Sequence, residues 1–266
     1  MGIFNRNFNK PGPGVNKDEP RKKGAARFFE LLARDFGDLV KLNFILCVCV
    51  LPSVFMFFIS LSGIYPFITF ILALILAFPV GGALTSSVYY ITKQMRDDPS
   101  YVWYEFKRKF MENYKQSAVI GILCAAFVYT QILLWIMMVV NEDTAGLSGV
   151  ILALLSLLLF GMITPYVFLH FAYIDLKTLG ILKNSVLMTF AYLPRSFMGA
   201  ILGGLLWIVV ALFFPDSLLM GFPIVLIFGI TVSMLLNLMW TWKPFDKSFN
   251  IEETLNQRKD EETAEE

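Results

Sequence analysis

The sequence predicts an all-α membrane protein, a polytopic bundle of six transmembrane helices with cytoplasmic interfacial amphipathic helices. Its composition is the first reason: of 266 residues, 57% are hydrophobic and 16% are charged, with a mean hydropathy of +0.65. A soluble domain is about a quarter charged. The second reason is that the apolar residues form runs of about 20, the length that a helix needs to cross the hydrocarbon core of a bilayer. These two observations exclude an ordinary soluble domain.

Six apolar runs are predicted to be the spans, and the connectors between them are of two kinds. The first, third and fifth connectors are short and contain no Lys or Arg, whereas the second and fourth are long and basic. The spans cover roughly residues 42–61, 67–90, 118–140, 149–171, 196–214 and 218–239.

The charge distribution predicts the orientation of these spans. All 22 Lys and Arg residues precede the first span, follow the last or lie in the two long connectors, and only Glu142, Asp143 and Asp216 carry charge on the other side. Because Lys and Arg near the ends of spans are retained in the cytoplasm, both termini are predicted to be cytoplasmic. The net charge of +1 argues against a nucleic-acid partner for the chain as a whole.

The chain is predicted to have three parts. Residues 1–24 are rich in Gly, Pro, Lys and Arg, which is typical of a flexible arm. Residues 25–247 form the membrane domain, and residues 248–266 form an acidic tail without apolar periodicity, which predicts disorder. Phe29 and Arg34 recur as Trp103 and Arg108, 74 residues later, so the membrane domain is hypothesised to contain three repeats of one amphipathic helix and one hairpin of spans.

Both long connectors have the pattern of an interfacial helix. In the first, aromatic residues recur every three or four positions beside basic ones, which predicts a face that lies in the bilayer interface or docks a partner protein. The residues of this candidate docking face are Trp103, Phe106, Arg108, Phe110 and Tyr114. The second of the two long connectors repeats the pattern with Leu179, Leu182, Val186, Phe190 and Leu193.

No catalytic, cofactor or metal site is predicted. His170 is the only histidine, and the nearest acid in sequence is Asp175, five residues later, so no recognisable acid–base or ligand arrangement surrounds it. Cys47, Cys49 and Cys124 lie inside apolar runs and lack the paired spacing of a zinc site. The sequence therefore favours a protein that is not an enzyme.

A few polar residues inside the spans have two interpretations. They could line a path for a neutral solute, or they could form hydrogen bonds between helices, which is the more common role of such residues in membrane proteins. The candidates are Thr85, Ser86, Gln131, His170 and Asn237. Gly199 and Gly203 also have the spacing that allows close helix approach, within one protomer or in a homo-oligomer.

Four segments together resemble the YesL family of bacterial integral membrane proteins. They are KPGPGV at residues 10–15, RFFELLARDFGDLVKLNFI at 27–45, RDDPSYVWYEF at 96–106 and KPFDKSF at 243–249. The resemblance implies a multi-pass protein of the bacterial cell membrane. It also implies an unknown activity in a family often encoded beside genes for carbohydrate import and polysaccharide use.

The leading hypothesis is a non-enzymatic accessory or interaction protein of a carbohydrate import or sensing system. Its expected partners are the lipid bilayer and the subunits of a carbohydrate ABC importer or a sensor kinase, without a cofactor. The alternative is a transporter or channel for a neutral solute such as a sugar. The two differ in whether the polar residues of the spans face a cavity or pack against each other.

Overall fold

The computed structural model describes residues 22–140, 146–213 and 225–265, and the secondary structure in these ranges is helical throughout. Nine α-helices and one π-helical turn are present in them. Their bounds are α1 Ala25–Leu61, α2 Pro66–Leu76, α3 Phe78–Met95, α4 Val102–Val140, α5 Leu147–Tyr173, α6 Thr178–Ala191, α7 Leu193–Phe213, the π-helical turn Val225–Gly229, α8 Ile230–Phe249 and α9 Ile251–Glu265. Glu142, Asp143 and Asp216 lie outside the described residues, as do residues 1–21 of the arm.

The predicted all-α membrane bundle is confirmed. Five helical segments of the described chain are long and apolar enough to cross a membrane, with α2 and α3 together forming one of them. The count is six when α6 and α7, which meet at an angle of 99°, are taken as one broken span. Large apolar side chains cover much of the outer surface, as expected for helices that face lipid.

The amphipathic segments before the first and third spans are continuous with those spans. Neither junction, residues 38–46 or 110–118, contains a Gly or Pro that would interrupt the helix. α1 and α4 have 37 and 39 residues, so each is about 55 to 60 Å long, against about 30 Å for the hydrocarbon core of a bilayer. The prediction of a separate interfacial helix is therefore wrong for the first long connector, which extends the third span lengthwise, as residues 25–41 extend the first.

The second long connector does form a separate helix, α6. Tyr192 leaves the helical conformation, with φ −116° and ψ 37°, and Pro194 lacks the N–H that would continue the hydrogen-bond ladder to the carbonyl of Phe190. The chain consequently bends by 99° into α7. Leu179, Val186, Phe190 and Leu193, four of the five residues of the predicted apolar face, are exposed.

α3 lies at the centre of the bundle, with α1, α4, α5 and α8 packed around it. Its closest neighbour is α4, because two glycines let the backbones touch: a Cβ atom placed on Gly81 would lie 1.9 Å from the carbonyl oxygen of Ser117, and one on Gly121 would lie 2.3 Å from the backbone nitrogen of Gly81. A second break in the helical path, between α2 and α3 at Ala77, comes just before Pro79.

The acidic tail is helical in the structure, from Ile251 to Glu265, where the sequence predicted disorder. Glu252 and Glu253 lie in the first turn, where carboxylates interact favourably with the positive end of the helix dipole. Asn250 adopts the left-handed conformation that ends α8, and the side chain of Asp246 accepts a hydrogen bond of 2.8 Å from the backbone N–H of Glu252. Ile251 packs into the core, which fixes the base of the tail helix against the bundle.

Candidate functional site

The charged side chains of the described residues gather at one end of the bundle, here called the basic end. At this end α1, α4 and α7 begin, and α3, α5 and α8 finish. Hydrogen bonds join Arg27 to Asp97 and Arg96 to Tyr173, which brings the start of α1, the α3–α4 connection and the end of α5 together. The basic end is therefore the candidate functional site.

Asp97 occupies a tight turn at the end of α3. Its φ is 63°, a left-handed conformation that Asp tolerates better than most residues. The N–H of Asp97 donates to the carbonyl of Gln94 at 3.0 Å, and the N–H of Asp98 donates to the carbonyl of Lys93 at 3.1 Å. This is the Schellman arrangement, with Asp in place of the usual Gly.

Two arginines of α1 hold this turn. Arg27 donates to both carboxylate oxygens of Asp97 at 2.7 Å, and Arg34 donates to one of them at 2.5 Å. The same arginines bind the last carbonyls of α3, at Met95 and Gln94. Burial alone would raise the pKa of Asp97, but the hydrogen bonds and charges of Arg27 and Arg34 outweigh it and hold that pKa below its ordinary value.

Arg96, the residue before Asp97, contacts two further helices. Its side chain is buried, with 8% of the residue exposed. The guanidinium donates 3.1 Å hydrogen bonds to the Tyr173 hydroxyl and the Asp98 carboxylate. It also lies 5.6 Å and 5.4 Å from the ring centroids of Tyr173 and Trp242, which is within cation–π distance. Arg96 therefore links α3 to the ends of α5 and α8.

A buried carboxylate at the start of α4 forms a third charged cluster. Glu105 is 5% exposed and accepts hydrogen bonds of 2.6 Å from both Lys93 and Arg108. Arg108 also donates to the hydroxyl of Tyr89 at 3.0 Å. Because two cations compensate one buried anion, this cluster ties α4 to α3 without leaving an unpaired carboxylate.

The predicted docking face on α4 is divided. Phe106 is 5% exposed and belongs to the core, while Phe110 and Tyr114 pack against α3. The absence of a side chain at Gly82 makes room for this, since a Cβ atom there would lie 3.1 Å from the Phe110 ring. The prediction that the five residues share one exposed surface is thus wrong, because α4 is a full packing partner of α3.

The other two members of that face, Trp103 and Arg108, belong to a different exposed surface, here called the aromatic patch. Trp103 and Tyr104 are 65% and 63% exposed. The guanidinium of Arg108 lies 6.0 Å from the centroid of the Tyr104 ring, so the two side chains share one surface. The aromatic patch consists of Tyr101, Trp103, Tyr104, Lys107 and Arg108.

Thr85 and Ser86, two of the polar residues predicted from the spans, bond to their own helix. They donate to the carbonyls of Gly81 and Gly82, one turn earlier in α3. Both side chains are fully buried. These bonds satisfy the hydroxyls locally, which is a common arrangement for Ser and Thr in membrane helices.

Gln131, His170 and Asn237 join helices to each other. Gln131 donates to Ser156 of α5 at 2.7 Å, and Asn237 donates to the carbonyl of Gly161 at 3.1 Å. His170 pairs through Nδ1 with the Tyr166 carbonyl at 2.7 Å and with Ser185 of α6 at 3.1 Å. Each residue uses one polar atom in a helix contact, while Gln131 Oε1, His170 Nε2 and Asn237 Oδ1 are buried without a hydrogen-bond partner among the described residues. The contacts that are made favour helix packing over a solute path.

The glycine pair of α7 is used inside the protomer. Cβ atoms placed on Gly199 and Gly203 would lie 2.9 Å and 3.2 Å from atoms of the Asn237 side chain. The small residues thus let α8 approach α7 closely, as the sequence pattern allows.

Two cavities open at the basic end, and neither is lined by the polar residues predicted for a solute path. The larger, of about 800 Å³, is lined by basic, aromatic and apolar side chains. The smaller, of about 300 Å³, lies beside Arg34, Tyr90 and four aspartates. Across the described residues, no group of three or more His, Cys, Asp or Glu side chains is placed to hold a metal ion.

Residues 38–141 match the model of a family described as "Protein of unknown function, DUF624". The matched segment runs from the middle of α1 to the end of α4 and contains Arg96, Asp97, Glu105 and the aromatic patch. Arg27, which binds Asp97, lies before it. No curated protein and no solved structure shows significant similarity to the chain.

Proposed function

We propose that this chain is a non-enzymatic accessory protein of the bacterial cell membrane that docks a partner protein on its aromatic patch. Its resemblance to the YesL family supports a role beside carbohydrate import or sensing. The proposed partner is a subunit of a carbohydrate ABC importer or of a sensor kinase. The basic end faces the cytoplasm in this proposal, because Lys and Arg near spans are retained there.

The position of the aromatic patch along α4 is the observation that carries the proposal. Lys93, near the end of α3, binds Glu105 of α4 at 2.6 Å, and Gly81 of α3 touches Ser117 of α4. The two helices therefore run side by side, and Trp103 lies about five residues, or about 7 Å, past residue 90, where the second span is predicted to end. The headgroup region of one leaflet is about 5–8 Å deep, so the patch lies at its outer edge, open to a partner protein.

The chemistry of the patch fits a protein partner. Exposed Trp, Tyr and Arg side chains are enriched at the energetically dominant positions of protein interfaces. Trp103, Tyr104 and Arg108 supply all three types on one short stretch of helix. The Glu105 cluster beneath them holds Arg108 in place, which lowers the entropy lost when a partner binds.

Photocrosslinking in the native membrane tests the docking proposal. A photoreactive residue is placed at Trp103 or Tyr104, and a matched control is placed at Phe67, which is 76% exposed at the start of α2. We expect a discrete protein adduct from Trp103 and Tyr104 and none from Phe67. Equal protein adducts at all three positions, or none at Trp103 and Tyr104, would overturn the proposal.

A further inference from the structure

The larger cavity at the basic end, here called the basic cavity, combines two kinds of lining. Its inner part is apolar, from Leu31, Leu202, Leu236 and Met239. Its rim carries five cationic side chains, of Lys22, Lys23, Arg27, Arg195 and Lys243, against the two acidic side chains of Asp246 and Glu252. An apolar lining beneath a net positive rim is complementary to an anionic amphiphile.

Four of the five cations on the rim are not neutralised within the described residues. Arg27 is held by Glu30 and Asp97. Lys22, Lys23, Arg195 and Lys243 form no ion pair within the described part of the chain.

The two acids on the rim already have partners of their own. Asp246 accepts the backbone N–H of Glu252, and Glu252 accepts the indole N–H of Trp242 at 3.1 Å. These contacts use the carboxylates to hold the base of α9 against α8. Neutral N–H donors leave both carboxylates charged, but the four cations without an ion pair outnumber these two acids, so the net charge of the rim is positive.

The basic cavity also lies at the depth of a lipid head group. Trp240, which lines it and is partly exposed, directly follows the last predicted span, at the position where Trp residues mark the membrane interface. Lys243 lies near the end of α8, Arg195 lies in the first turn of α7, and both flank the cavity. Basic pockets between membrane helices on this side bind phosphate-bearing head groups.

We infer that the basic cavity binds one anionic phospholipid of the adjoining leaflet. Its phosphate group contacts Lys22, Lys23, Arg195 and Lys243, and part of an acyl chain lies along Leu202, Leu236 and Met239. The volume of about 800 Å³ suits a head group with a portion of one chain. Since the lipid would touch α1, α7 and α8 together, its binding would stabilise the basic end of the bundle.

The test measures the thermal unfolding midpoint of the full chain in detergent as lipid is added. The probes are dioleoyl phosphatidylglycerol, dioleoyl phosphatidylcholine and inorganic phosphate. We expect a saturable rise with phosphatidylglycerol alone. An equal rise with phosphatidylcholine, or with inorganic phosphate, would overturn the inference by showing a generic lipid effect or a site for a free anion.

Matched variants locate the effect. Removing two rim charges in Arg195→Gln/Lys243→Gln is expected to raise the half-saturating phosphatidylglycerol concentration about fivefold for each charge. The second double variant, Lys22→Gln/Lys23→Gln, changes two residues that precede α1 and therefore leaves every helix intact. It is expected to raise the half-saturating phosphatidylglycerol concentration in the same way, and it replaces the first double variant if that one does not fold. The control Lys107→Gln/Lys115→Gln removes the same charge outside the cavity, and an equal change in that control would overturn the inference.

Discussion

Arg27 and Asp97, 70 positions apart in sequence, form the contact that closes the basic end of the bundle: the guanidinium of Arg27 donates to both carboxylate oxygens of Asp97 at 2.7 Å. Arg34 binds the same carboxylate from the next turns of α1. The contact fixes the α3–α4 turn, from which the aromatic patch extends. Disturbing Asp97 should therefore affect both the stability of the bundle and the position of the patch.

Asp97→Asn is expected to lower stability by about 1 kcal/mol, since it removes the charge of a partly exposed pair while keeping a residue that tolerates the left-handed turn. Asp97→Ala should cost more, because Ala also disfavours that conformation. The control Glu112→Gln breaks only an exposed pair with Lys109 and should have little effect. Thermal unfolding in one detergent measures all three. An Asp97→Ala midpoint above that of Asp97→Asn would contradict the assigned turn geometry.

The same contact predicts a dependence of stability on pH. The pKa of Asp97 is lower in the folded than in the unfolded chain, so its contribution is fully present above the unfolded value of about 3.9 and is lost as the pH falls through the folded value. The difference in stability between wild type and Asp97→Asn should be constant near pH 7 and shrink below about pH 4. A difference that grows as the pH falls would refute the sign of this shift.

Arg96 is the second expected determinant of stability. Arg96→Gln removes the buried cation that contacts Asp98, Tyr173 and Trp242, and loss of one partner of a buried charge pair costs about 3–5 kcal/mol. Arg96→Lys should rescue little, because an ammonium cannot reproduce the planar contacts of a guanidinium. The comparison is Arg108→Gln, whose side chain is more exposed. Equal midpoints for Arg96→Gln and Arg108→Gln would contradict the central position of Arg96.

The close contact between α3 and α4 leads to a fourth prediction. Gly81→Ala and Gly121→Ala should each destabilise the bundle by at least about 1–3 kcal/mol, because the new methyl groups meet backbone atoms. Gly204→Ala is the matched control, since a Cβ atom there meets nothing within 4 Å. Alanine favours a helix over glycine by about 1 kcal/mol, so Gly204→Ala should be neutral or stabilising. Unfolding midpoints that do not separate the two classes would contradict the close approach of these helices.

Much of this fold follows from sequence patterns that act locally. Runs of about 20 apolar residues give the spans, and the basic residues of the connectors meet at one end because consecutive spans run in opposite directions. Pro194 likewise explains the bend after α6. The pattern did not predict that the amphipathic segments continue into the first and third spans, as they do in α1 and α4. Helical periodicity is identical whether such a segment lies along a membrane or extends a span.

The site was less predictable, because its contacts join residues far apart in the chain. Periodicity placed Phe110 and Trp103 on one face, but only the packing of α4 on Gly82 decides that Phe110 turns inward. Arg96, Asp97 and Glu105 were missed. A signal was present, since charged residues beside a helix end are candidates for capping its carbonyls. The partners Arg27 and Tyr173, however, come from tertiary contacts. The hypothesis of three repeats remains a prediction.

The solute-path and helix-packing interpretations predict opposite accessibility to water for the polar residues of the spans. In inside-out membrane vesicles containing a chain whose three native cysteines are replaced by Ala, Asn237→Cys and Thr85→Cys should resist a membrane-impermeant maleimide, because Asn237 lies in a helix contact and Thr85 is fully buried. Trp103→Cys, on the exposed patch, is the positive control. Rapid labelling at positions 237 and 85 would favour a water-filled path and contradict the packing interpretation.

The most direct test of docking on the aromatic patch is co-purification from native membranes in mild detergent, with wild type compared against Trp103→Ala/Tyr104→Ala. The control pair Ile64→Ala/Phe67→Ala removes exposed side chains from the α1–α2 connection and the start of α2. We predict that wild type and the control pair recover the same partner protein, and that the Trp103/Tyr104 pair recovers at least about tenfold less at equal expression, as expected when interface anchors are truncated. Recovery of no partner with wild type, or of equal amounts with all three proteins, would contradict the account.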